Sequence, residues 1–124
     1  MTGYVGNIEE QTLQNSNFRQ VLFTGQHAQL VVMSLKVGEE IGLEVHDHVD
    51  QFFRIEQGQV KVVMSGEEAV VGDGEAFIVP AGTTHNVINV GQTEVKLYTV
   101  YSPPNHPEGT VHVTKAEAEL AEHD

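Results

Sequence analysis

The segment "GEAFIVPAGTTHNVIN", residues 74–89, reads as a strand, a tight turn and a second strand. Pro80 and Gly82 bend the chain just before His85. Residues two apart on a strand share a face, so His85, Val87 and Asn89 point to the same side. An imidazole held on an inward face behind a built turn needs a partner, either a hydrogen bond or a metal ion.

Upstream, "EVHDHVDQFFRIEQG" (44–58) offers partners. On an extended run Glu44, His46 and His48 share a face. With Val49 and Asp50 as a two-residue turn, the chain reverses and Gln51 begins the next strand opposite His48. Gln51, Phe53 and Ile55 then share the inner face, while Arg54 and Glu56 mark the wetter one. Alone, a His-x-His pair also fits two solvated side chains. A third inward histidine makes convergent imidazoles, with the Gln51 amide oxygen, a candidate set for Zn, Fe, Ni, Cu or Mn.

The rest of the chain reads as more strands. Segments 18–24, 28–37, 42–48, 51–57, 59–65, 67–71, 75–80, 85–90 and 94–101 are rich in Val, Ile, Phe and Tyr, with turn clusters between them. This predicts an all-β sandwich or barrel. Residues 1–16 read as a loose polar arm, 102–110 as a Pro-rich loop, and 114–122 as a short helix with a Thr114/Glu117 capping box. The 124 residues suit one domain, with a barrel core at 18–101. Eighteen acidic against six basic residues give a net charge of −12, which disfavours nucleic acid and anionic membranes as partners. There is no cysteine, so thiolate sites are excluded. No apolar run reaches the length of a membrane span and the first residues lack a signal-peptide pattern, so a cytoplasmic location is expected.

Through Gly74, Pro80, Gly82, His85 and Asn89 the second segment resembles the second motif of the cupin superfamily. Through His46, His48 and Gly58 the first segment resembles its first motif. The likeness spans about residues 28–101 and is greatest to small, single-domain, mannose-6-phosphate isomerase-like cupins. It implies a jelly-roll barrel, to which the helix at 114–122 is added, and a divalent transition metal held by His46, His48, Gln51 and His85. Two positions depart from the pattern. The glycine usual six residues before the first histidine is Glu40, with glycines at 38 and 42, and the usual acidic ligand seven residues before Gly58 is Gln51. Three neutral imidazoles and an amide would leave the metal its full charge and a preference for anionic ligands.

The function expected is metal-dependent binding of a small anionic or polyhydroxy compound, with isomerase or dioxygenase chemistry if the protein is an enzyme. The alternative is a non-catalytic binding or sensing module on the same barrel. Glu44 is the candidate for proton transfer, and Phe53 and Tyr101 are candidate walls of the substrate pocket. Strand parity puts no Lys or Arg on an inward face, which argues against a phosphosugar. Phe52 and Val63 face outward, and a homodimer is expected. His27, His106, His112 and His123 read as surface or loop residues, with His106 in a segment able to cover the barrel mouth.

Overall fold

A computed structural model describes residues 1–123. The elements in chain order are α1 (Ile8–Gln14), β1 (Arg19–Thr24), β2 (Gln29–Leu35), β3 (Asp50–Gln57), β4 (Val60–Met64) and β5 (Glu67–Val71), followed by β6 (Ala76–Val79), β7 (His85–Asn89), β8 (Val95–Ser102), β9 (Val111–His112) and α2 (Lys115–His123). Two antiparallel sheets face each other: a six-stranded sheet in the order β6-β3-β8-β2-β1-β9 and a three-stranded sheet in the order β5-β4-β7. Consecutive strands often lie in different sheets, so chain crossings stitch the layers into the expected jelly roll.

Alternation fills the space between the sheets. Val31, Met33 and Leu35 of β2, Phe53 and Ile55 of β3, Val60 and Val62 of β4, and Leu97 and Tyr101 of β8 are all buried. Gly58 closes the β3–β4 turn with φ 96°. A Cβ there would come within 3.0 Å of Val95 Cγ2 and 3.2 Å of the Glu94 carbonyl oxygen, so a side chain would face both steric crowding and a strained backbone.

The N-terminal arm departs from expectation, because it contains α1. The Asn7 side chain caps that helix by accepting from the Glu10 N–H at 3.0 Å, and Thr12 is fully buried. The helix end covers Lys96, which faces outward from β8 as parity requires but is 8% exposed. Lys96 Nζ donates to the Asn15 carbonyl at 2.6 Å and to Ser34 Oγ at 3.1 Å, and pairs with Glu94 at 3.1 Å. At the other end, the Thr114 hydroxyl accepts from the Glu117 N–H at 3.1 Å, as the capping pattern predicts, and Ala118 of α2 is buried. Among the described residues no helix is long and apolar enough to cross a membrane.

The expected strand at 42–48 is also different. Only Glu44 is paired there, in a two-way bridge with His85: each N–H donates to the other's carbonyl at 2.9 Å. The chain turns at Asp47–His48 rather than Val49–Asp50. It then enters the other sheet, where β3 pairs with β6 and β8.

Candidate metal centre

Three side chains converge at one end of the barrel. Glu44, His46 and His85 each bring a donor atom within 4.8 Å of the others. Glu44 Oε1 lies 3.7 Å from His46 Nε2 and 3.9 Å from His85 Nε2. Two donors each about 2.1 Å from one ion can be at most about 4.2 Å apart, and both distances fall within that limit.

Hydrogen bonding fixes which atoms face the centre. His85 Nδ1 is 2.9 Å from the Thr83 carbonyl oxygen. A carbonyl only accepts, so Nδ1 carries the proton and Nε2 presents its lone pair. His85 Nε2 and His46 Nε2 are both buried and without a hydrogen-bond partner. Gln51, 1% exposed, repeats the arrangement. Its Nε2 donates to Thr99 Oγ1 at 3.0 Å, and its carbonyl oxygen is left without a partner. Buried polar atoms are rarely unpaired; two imidazole nitrogens and an amide oxygen in that state fit a cation as their missing partner. Burial raises the Glu44 carboxyl, but its neighbours His46, Arg19 and His85 outweigh it and hold Glu44 below the usual carboxylate range.

His48 does not join this set. It is exposed in the Asp47–His48 turn. The parity argument failed because it carried a strand through the residues where the chain changes sheets. Read from Glu44 instead, the departure noted at Glu40 disappears. Gly38 stands six residues before Glu44, and Gln51 still stands seven before Gly58. Glu44 and His46 then fill the positions assigned above to His46 and His48. The Gly38 spacing was the signal in the sequence that could have shown this. The set therefore includes one carboxylate, and the argument from a wholly neutral ligand set does not apply to it.

The surroundings are polar on one side. Tyr101 packs edge-on against His46 with ring centroids 5.9 Å apart. Its hydroxyl lies 3.1 Å from His106 Nε2, and burial raises the phenol well above its usual range. His106 is not a free surface residue. The Gln29 side chain accepts from the Asn105 and His106 N–H groups at 3.0 and 2.9 Å and donates to the His106 carbonyl at 2.7 Å. That clamp lays the Pro-rich loop across Tyr101. Burial, with the charges of Arg19 and His112, pushes His106 down to about 3. Phe53 sits in the core, its ring stacked on Phe77 at 4.6 Å. The expectation that no cation faces inward is overturned by Arg19, 2% exposed at the start of β1.

The comparisons agree with this architecture. The chain is similar to YrkC of Bacillus subtilis (strain 168), 55% identical over 125 residues that cover 96% of this chain and 67% of YrkC. It is also similar to the crystal structure of BH2720 from Bacillus halodurans, with a TM-score of 0.93, 49% identity, and coverage of 94% of this chain and 93% of that one. A more distant similarity, 28% over 78 residues, covers 63% of this chain and 16% of the mannose-1-phosphate guanylyltransferase ManC of Salmonella typhimurium. The model of the Cupin_2 family, a cupin domain, matches residues 31–101, more than half of the sequence, and the chain belongs to that family.

Proposed function

We propose that this cupin holds a divalent transition metal on Glu44, His46 and His85, with the Gln51 carbonyl oxygen as fourth donor, and uses it to bind and activate a small, oxygen-rich, enolisable compound. The single observation that carries this reading is the convergence of the carboxylate with buried imidazole nitrogens that have no hydrogen-bond partner. Two imidazoles, one carboxylate and an amide oxygen suit Fe(II), Mn(II), Ni(II) or Zn(II). When bound, such an ion supplies Lewis acidity toward an oxygen donor of the substrate.

The protein's own groups do the rest. The Thr83 carbonyl holds the His85 ring with Nε2 inward, and Thr99 orients the Gln51 amide. Glu44 serves as the anionic donor rather than as an acid–base group, since its carboxylate lies between the two rings. The Tyr101 hydroxyl, which burial keeps protonated and which lies 3.1 Å from His106 Nε2, can offer a bound compound a hydrogen bond. Isomerisation or oxygen-dependent cleavage of such a compound would draw on that Lewis acidity.

Metal analysis of protein purified without added metal tests the reading. Near-stoichiometric metal is expected in the wild type and in His48→Ala. Less than about a tenth of it is expected in His46→Ala, His85→Ala or Glu44→Ala. Metal lost on replacing His48, or kept without His85, overturns the assignment.

A further inference from the structure

Residues 103–109 leave β8 and are held to the barrel by side chains. One cross-strand row runs Gln51, Tyr101, Gln29 and Thr24 over β3, β8, β2 and β1, so Gln51 neighbours the residues that hold this segment. Gln29 bonds the backbone of Asn105 and His106, and the Tyr101 hydroxyl meets the His106 ring. The His106 ring stands edge-on to Tyr101 at 5.0 Å, and Tyr101 stands edge-on to His46 at 5.9 Å. The segment is therefore two rings out from the metal centre. Its other features favour release. Among the described residues, no backbone hydrogen bond ties 103–109 to either sheet. No residue from 102 to 110 is buried, so lifting the segment exposes little apolar surface. Glu108 and Gly109 share an open cavity of about 180 Å³ with residues 21–24 of β1, so they are not packed onto that strand. Pro103, Pro104 and Pro107 fix φ and stiffen the segment. Its ends are anchored, with Ser102 paired to Asp50 and the Thr110 carbonyl accepting from the Val21 N–H at 2.9 Å.

We infer that residues 103–109 form a lid over the Tyr101 side of the metal centre, latched by Gln29, which lifts while both sheets stay intact and lets the bound compound in and out. Local openings come from segments with few buried contacts, and here the latch is a side chain whose release breaks no strand pairing. Lifting also parts His106 from the Tyr101 hydroxyl, so that group is freed for a compound as the path to it opens. The rim at Glu44 and His46, with side chains 22% and 14% exposed, is the competing entrance, but it does not uncover Tyr101, which is 1% exposed. Passage of a compound rests on the proposed metal site. The lifting of the lid does not.

Two measurements test this. In metal-free wild-type protein, hydrogen exchange followed by NMR should find the Asn105 and His106 N–H groups at least about 100-fold less protected than those of β8, with little dependence on low urea, as expected for a local opening. Exchange in step with β8 overturns the lid. This measurement needs neither a variant nor a metal. In the Co(II)-loaded protein, azide serves as the probe of entry, followed by stopped-flow absorbance. The wild-type binding rate is expected to level off at high azide, limited by opening, and to be at least roughly tenfold higher in Gln29→Leu, where the latch bonds are lost. A wild-type rate that rises in proportion to azide, or equal rates in the two proteins, overturns passage under the lid and puts the entrance at the Glu44 and His46 rim. A protein that retains no cobalt refutes the metal site, and the exchange measurement then decides the lid by itself.

Discussion

Gln51 stands where a carboxylate is usual, and Glu44 stands where an imidazole is usual, so the negative charge has changed position without leaving the set. Gln51→Glu would therefore give two acidic donors. Two carboxylates held at the roughly 4 Å spacing of donors to one ion would, without the metal, repel by about 4 kcal/mol at an effective dielectric of ~20, relieved in part when one takes up a proton. With metal, the added charge faces a dication. The expected outcome is a lower melting temperature for the metal-free variant and at least roughly tenfold tighter metal binding, about 1.4 kcal/mol. Calorimetric titration with metal, alongside thermal melts of both forms, checks the two signs. Equal metal affinity would remove Gln51 from the coordination sphere.

Among the elements, the loop after β8 is the one whose role depends most on a single side chain. Gln29 is fully buried and bonds the loop backbone at three points. Gln29→Leu leaves those groups unpaired, and a loss of about 2–4 kcal/mol is expected in denaturant unfolding. The same change should free His106. In the wild type its folded pKa of about 3 lies below the ordinary value of 6.5. Between those values the unfolded state binds more protons, so stability rises with pH and is lost as the pH falls from about 6.5 toward 3. The wild-type His106 ring resonances should therefore stay unprotonated at pH 5, while in Gln29→Leu they should titrate near 6.5. A wild-type ring titrating near 6.5 would refute the buried placement. Strands β1 to β8 and α2 were legible in the sequence because alternation and a capping pattern are local signals, though the same alternation also predicted a strand at 42–48 that does not form. Three features were not. The α1 helix spans only seven residues and depends on docking against β2, β3 and β8. The exposure of His48 follows from a change of sheet that parity cannot register. Arg19 looks like a surface residue until β9 and the loop before it close over β1, which happens some 90 residues further along the chain.

For the whole molecule, the outer face of the larger sheet matters most. Ile78, Phe52, Val100 and Leu30 form one cross-strand row over β6, β3, β8 and β2, with Ile78 58% exposed and Phe52 beside Tyr98 at 6.1 Å. We propose that a second copy covers this row. Each copy carries a charge of −12, so apolar burial must overcome mutual repulsion that salt screens within about 8–10 Å. Light scattering should show a dimer that tightens from low to moderate salt, and Phe52→Glu should give a monomer with unchanged metal content. A wild-type monomer at high micromolar concentration would exclude the dimer. The two-way backbone bridge between Glu44 and His85 has a mechanical meaning at this scale. Glu44 and His85 cannot part without breaking both hydrogen bonds, so they act as one jaw fixed to the smaller sheet. Gln51, mounted on β3, is the opposing jaw on the larger sheet. An ion gripped by both is a rivet through the two layers, set beside the two chain crossings there, residues 47–49 and residues 80–84.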